Sequence, residues 1–165
     1  FFIKYRAIEF SKRTTAKTHL VFWQTEETKE IEFVGYYTIA SKVITVNKDA
    51  LTGGESKKLK NQGYYDEVKH EFTISAPLIG QLGKNFANGN NTLISGSDLL
   101  QLAINKVRTI QKEIGGRFVY LECEDNENLL SFYKNCGFKV FGSRKLDGDE
   151  TGIRGKYLIQ LFAML

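Results

Sequence analysis

Asn126-Glu127-Asn128-Leu129-Leu130-Ser131-Phe132-Tyr133-Lys134-Asn135-Cys136-Gly137-Phe138 decides how this chain is read. It follows Arg117-Phe118-Val119-Tyr120-Leu121-Glu122-Cys123, a run of β-formers that reads as a buried strand. Asn128 to Asn135 reads as a short helix, and Gly137 ends it, because glycine enters the left-handed region without steric cost. The hydroxyl of Tyr133 is thereby expected just beyond a strand end. In open sheets with parallel strands, ligands collect outside the carboxyl ends of those strands. Tyr133 is therefore a candidate for chemistry.

Upstream of that strand, Ser95-Gly96-Ser97-Asp98 supplies helix-capping residues. Leu99, Leu100, Ala103, Ile104, Val107, Ile110 and Ile114 then keep helical spacing, and Gly115-Gly116 is the stop. Before this helix, Glu71 to Asn85 is a long extended segment carrying Pro77, the only proline. Proline cannot donate to a ladder, so the strand is expected to be bent, bulged or at an edge there. Strand, helix and strand together form a crossover whose two strands are expected to run parallel.

Further out, Phe1 to Lys12 has roughly helical apolar spacing and Thr18 to Gln24 reads as a strand. The polar stretch Thr25 to Glu30 permits a hairpin whose partner strand runs from Ile31 through Val46. Asn47 to Asp66 is a polar, lysine-rich excursion with room for a short helix. Phe138 to Phe141 follows as a strand, and Lys156 to Phe162 is expected to close the sheet as an antiparallel edge.

With 165 residues, 42% of them hydrophobic, one domain spanning 1–165 is the default. No apolar run reaches a membrane-spanning length and the first residues lack the core of a signal peptide, so a soluble cytoplasmic protein is expected. The chain begins with Phe1 and its only methionine is Met164, so the natural N-terminus is expected to lie outside it. Cys123 and Cys136 have neither CxxC spacing nor a nearby histidine, which indicates free thiols and no metal site. His19 and His70 lie outside every motif and read as structural or surface residues. Net charge is +4, and Lys57, Lys58 and Lys60 form the one dense basic cluster. Such a run attracts phosphates, RNA or an acidic partner, although it is more commonly a solvated helix face.

This element order, with Tyr133-x-x-x-Gly137-Phe138 after the second crossover strand and Asn126 upstream, resembles the GNAT N-acetyltransferase superfamily. Gln81-Leu82-Gly83-Lys84 and Ser131-Phe132-Tyr133 are most similar to the branch holding small bacterial enzymes and toxins that acetylate aminoacyl-tRNA. The resemblance implies an α/β fold with a mixed, mostly antiparallel sheet, a splayed parallel pair and flanking helices. It implies acetyl-coenzyme A as cosubstrate, lying in that splay, and an amine as acceptor. It also implies that Phe1 to Lys12 is the family's second helix, with a first strand and helix preceding this chain. For the toxin branch, a tRNA and an antitoxin are the implied partners. A homodimer would pair through the C-terminal strand edge.

By the same resemblance, the strand around Leu82 aims a backbone N–H at the thioester carbonyl, and Gly83, Lys84 and Asn85 pair with the pantetheine arm. The pyrophosphate falls to Asn91, Ser95, Gly96 and Ser97 at a helix N-terminus, where free amides and a positive dipole end favour anions. Asn126 would also contact the cofactor. The loop departs from the family's glycine pattern, since Ile94 stands where a first glycine would allow close approach to phosphate. Asn88-Gly89-Asn90 is expected to supply the permissive conformations instead.

Acetyl transfer from a thioester needs a neutral amine, oxyanion stabilisation and a proton for the thiolate. Tyr133 is the expected acid. Glu122 is the leading base, with Glu124 on the same strand face and Glu71 as further candidates. An α-amine titrates near 8 and lysine above 10, so an α-amino acceptor needs little help from a base. Blander readings stand beside these: Tyr133 as a core aromatic, Asn126 as a helix cap, Glu122 and Glu124 as strand ends. A noncatalytic module that senses acyl-coenzyme A or binds a partner is the alternative of a different class.

Overall fold

The structure is a computed structural model that describes residues 2–27, 29–148, 150 and 152–165. Helices α1 (Phe2–Tyr5) and α2 (Ala7–Lys12) lead into the strands β1 (Lys17–Gln24) and β2 (Ile31–Asn47). A helix α3 (Gly53–Leu59) and strand β3 (Gly63–Asp66) precede β4 (Glu71–Lys84). Then come α4 (Gly96–Ile114), β5 (Phe118–Glu124), α5 (Glu127–Asn135), β6 (Lys139–Lys145) and β7 (Tyr157–Met164). The strand order is β1-β2-β4-β5-β7-β6, with β3 paired to β4. The sheet is mostly antiparallel with one parallel pair, as expected. No helix among the described residues is long and apolar enough to cross a membrane.

The chain forms two compact units, residues 1–41 with 78–115 and residues 42–77 with 116–165, so β2 and β4 each run through both. In the first unit, α4 presents Leu99, Leu100, Ala103, Ile104 and Val107 to the core from one stripe of its surface. Ser95 caps its start by accepting from the Asp98 amide, and Gly115 ends it at φ 82°. Gly35 of β2 is needed where it stands: a Cβ there would lie 2.8 Å from the Gly83 carbonyl oxygen and 3.2 Å from Leu99. β1 pairs antiparallel with β2, with a register shift between Val21 and Phe22.

The second unit is built on phenylalanines. Phe118 of β5 stacks on Phe162 of β7 at 4.8 Å between ring centroids, and Phe141 of β6 meets both edge-on. Each such ring, buried, contributes roughly 1.5–3 kcal/mol, so this aromatic set adds substantially to the ladders that join β5, β7 and β6. α3 begins with a capping box, Thr52 and Glu55 satisfying each other's backbone amides.

Three expectations change. β7 is not an edge: it pairs antiparallel with β5 on one side and β6 on the other, so β6 is the edge. The C-terminal strand therefore offers no free edge through which a dimer could pair. Pro77 lies inside β4, which runs unbroken from Glu71 to Lys84 and passes there from the second unit to the first. β3, hidden in the polar excursion, pairs with β4 from Gly63–Ile74 to Asp66–Glu71. The expected N-terminal helix is two short ones, and its first residue, Phe1, lies outside the described residues, as does Thr28 of the hairpin turn.

Candidate active site

The Tyr133-x-x-x-Gly137-Phe138 spacing has a complete local explanation. Gly137 sits at φ 90°, its N–H donates to the Lys134 carbonyl at 3.0 Å, and the Phe138 N–H donates to the Tyr133 carbonyl at 3.1 Å. These two bonds are the Schellman pair that closes a helix through a left-handed glycine, and the motif's accompanying apolar contact joins the residues at its two ends. Here those are Tyr133 and Phe138, whose rings lie 6.3 Å apart. The motif thus orients the Tyr133 side chain as a by-product of ending α5. At the other end, Asn126 is the N-cap, its Oδ1 accepting from the amides of Asn128 and Leu129 at 3.0 and 3.2 Å.

Tyr133 is half-buried, its ring also edge-on to Phe132 at 5.0 Å. Burial, followed by the neighbouring thiols of Cys123 and Cys136, pushes its hydroxyl up to about 12. The phenol therefore stays protonated at any physiological pH. Cys123 is buried and its thiol is raised to about 11, first by burial and then by Asp125 and Glu124; burial also raises Cys136.

Glu122 occupies a charge cluster that the sequence did not reveal. Arg144 of β6 donates from Nε to both Glu122 oxygens at 2.9 Å and from Nη2 at 2.7 Å. The same guanidinium holds Glu150 at 2.8 and 2.7 Å, and Gln160 donates to Glu122 at 2.8 Å. Both Glu122 oxygens are thus taken up by Arg144, with Gln160 on one of them, which weighs against Glu122 as a base that reaches an acceptor amine. Glu124 accepts from the Arg154 amide at 3.1 Å. The last base candidate, Glu71, opens β4 opposite Asp66 of β3.

In the first unit, Leu82, Gly83 and Lys84 end β4 and are partly exposed. A Cβ on Gly83 would lie 2.7 Å from Cε1 of Tyr36, so the Tyr36 ring rests directly on the backbone assigned to the pantetheine arm. Tyr36 was missed in the sequence; its position in β2, facing β4 in space, has no local signal. The Asn85 amide donates to the Val34 carbonyl at 2.8 Å and its side chain donates to Phe33 at 2.8 Å. Asn85 is thus a brace between the loop and β2, and its N–H is not free for a ligand. Asn90, expected only as a permissive turn residue, is not among those with positive φ; it is buried and donates to Glu32 at 2.9 Å and Phe33 at 3.2 Å.

The loop takes its left-handed turns at Asn88 (φ 53°) and Gly89 (φ 77°), as expected, whereas Ile94 is not among the residues with positive φ. Asn91 is half-buried beside this turn. At the start of α4, Ser95 donates to Asp98 Oδ2 at 2.6 Å and lies 2.9 Å from the Ser97 hydroxyl. The helix end thus already carries a carboxylate in its first turn, with the Gly96 and Ser97 amides ahead of it. His19 stacks on Tyr37 at 4.9 Å, while His70, at φ 54°, approaches the Tyr65 hydroxyl at 3.2 Å through Nδ1. Among the described residues no group of three or more His, Cys, Asp and Glu could hold a metal.

No family model matches the chain, and no curated protein matches it. Solved structures do. AtaT complexed with acetyl-methionyl-tRNAfMet is 20% identical, covering 99% of this chain and 79% of that one at a TM-score of 0.61. A crystallised tyrosine-to-phenylalanine mutant of KacT is 15% identical over 96% of this chain and 78% of that one, TM-score 0.60. A Bacillus subtilis acetyltransferase in complex with CoA is 15% identical over 98% and 85%, TM-score 0.54. With its opening hairpin, its crossover through α4, a second helix closed by a left-handed glycine and a last strand inserted between β5 and β6, the chain has the GNAT acetyltransferase fold.

Proposed function

We propose that this protein is an acetyl-coenzyme A dependent N-acetyltransferase in which Tyr133 serves the departing thiolate. The observation that carries the reading is a tyrosine kept protonated at the end of α5, directly after β5, in the fold of acetyltransferases. The amine nitrogen attacks the acetyl carbonyl, the carbon–sulfur bond breaks, sulfur leaves as thiolate, and the proton shed by the nitrogen passes to water or to that thiolate. A thiol titrates near 8.5, so full transfer from a phenol near 12 runs uphill. Tyr133 therefore acts chiefly by donating a hydrogen bond to the sulfur as charge develops. The resemblance assigns Leu82, Gly83 and Lys84 to the coenzyme's arm, Asn91, Ser95, Gly96 and Ser97 to its pyrophosphate, and Asn126 to a further contact. Support comes from the fold's relatives, several of which were solved with acetyl-CoA or CoA.

The acceptor we favour is an α-amine, because Glu122 is held by Arg144 and an α-amine needs little deprotonation. Aminoacyl-tRNA is the acceptor class this suggests, in keeping with AtaT, which was solved with acetyl-methionyl-tRNAfMet, and with an antitoxin as a further partner. A noncatalytic role would follow from the carboxylate already seated at the start of α4. Acetyl-coenzyme A should raise the melting midpoint, since a ligand of the folded state stabilises it. Acetyl transfer to an amine panel should then be measurable, and Tyr133→Phe should lower turnover far more than cofactor affinity. Unchanged turnover in that variant would remove Tyr133 from the mechanism, and no shift in melting would remove the coenzyme.

A further inference from the structure

We propose that the lysine face around α3 and β3 is an RNA-docking surface that engages phosphates through Lys48, Lys57 and Lys60. This rests on the RNA-acceptor reading above and adds a location to it. The three lysines line one hollow of about 510 Å³ together with Asp49, Leu51 and Ser56. All of it lies in the second unit.

Two of the three lysines, Lys48 and Lys60, lean on one aromatic post. The Tyr65 ring packs 4.6 Å from buried Phe72, and its hydroxyl meets His70 at 3.2 Å. The ammonium groups of Lys48 and Lys60, from different elements, lie 5.7 and 5.8 Å from the centre of that one ring. A cation over a ring face gains about 0.5–1 kcal/mol at an exposed site, enough to bias two flexible side chains toward one place.

Two carboxylates of this region have other partners. Glu55 pairs with Lys139 at 2.8 Å and caps Thr52, and Asp66 accepts the amides of Val68 and Lys69. Among the described residues Asp49 is the one carboxylate lining the hollow, which leaves three positive charges against one negative. Uncompensated lysines suit phosphate, which Lys binds as a point charge without demanding a fixed geometry. An acidic protein fits less well: protein interfaces centre on apolar and aromatic side chains and are depleted in lysine, whereas Leu51 is the one large apolar side chain among the described residues of this lining.

The test measures binding of bulk deacylated tRNA by fluorescence anisotropy across a salt series, without coenzyme. K48A/K57A/K60A should weaken binding at least tenfold and flatten the slope of log affinity against log salt by roughly 2, near 0.7–0.9 for each phosphate no longer neutralised. Tyr65→Leu, which keeps every charge, should weaken it less while leaving the slope. K106A/R108A/K112A, equal in charge removed but placed on the wet face of α4, should bind as wild type. Equal losses in the two triple variants would reduce the effect to net charge and overturn the proposal. So would tighter binding to a polyglutamate peptide than to tRNA. Circular dichroism melts verify that each variant folds. Acetylation of a small α-amine is followed in parallel: activity with unaltered RNA binding in K48A/K57A/K60A sinks this surface alone, whereas loss of coenzyme binding in the wild type sinks the enzyme reading alone.

Discussion

Replacing Arg144 by Met should destabilise the protein by about 2–4 kcal/mol, and the figure follows from burial. Among the described residues Arg144 is the one cation paired with Glu122, whose side chain is 10% exposed, and it also holds Glu150, at 24%. Stripping one partner from a fully buried pair costs about 3–5 kcal/mol. The arginine side chain is itself 31% exposed, so water recovers part of that loss. Methionine keeps most of the apolar stem, so the change isolates the charge. In a chain of this size the midpoint should fall by roughly 2–4 °C per kcal/mol, some 5–15 °C in all. Chemical denaturation with a double-mutant cycle should assign a larger coupling to Arg144 with Glu122 than with Glu150. Replacing all three by apolar residues (E122L/R144M/E150L) should recover most of the loss, since a packed apolar set often equals a buried ion cluster. Acid supplies a second reading. Arg144 holds the Glu150 carboxyl below its ordinary range. A depressed carboxyl contributes stability that is full above its unfolded value, near 4.3, and is lost as pH falls through the folded value. Wild type should therefore lose stability below about pH 4.3 more steeply than Arg144→Met. A cost under about 1 kcal/mol, or identical acid slopes, would refute the reasoning and return Glu122 to the pool of free bases.

Two further substitutions probe the halves of the candidate site. Gly83→Ala places a methyl 2.7 Å from the Tyr36 ring, and should cost about 1–3 kcal/mol by overpacking; combining it with Tyr36→Ala should give a clearly less than additive loss in urea unfolding. Gly137→Ala forces alanine into φ 90°, at about 1–2 kcal/mol, and should lower turnover as well if the helix closure aims Tyr133, which steady-state kinetics would detect.

Much of the fold is legible in the chain because it rests on local energies. The apolar stripe of α4, the Ser95 cap, the Gly115 stop and the Tyr133-x-x-x-Gly137-Phe138 closure each depend on residues within a turn or two. The candidate acid could be located for the same reason. Asn88 and Gly89 show the limit of that reasoning: their left-handed turns were readable, but the Asn90 bonds to β2 that fix the loop were not.

What only the tertiary structure decided are the pairings between distant residues. Nothing local to Tyr157–Met164 says that it enters between β5 and β6, because a strand's pattern of burial is the same at an edge as one place inward. Glu122 reads as a free carboxylate until Arg144 arrives from β6, and Gly83 reads as an open backbone until Tyr36 covers it. Short-range torsions and caps are written in neighbouring residues, so the chain alone determined its helices, turns and the place of Tyr133. Charge partners and strand neighbours are set by which surfaces fold together, and that is a property of the assembled core.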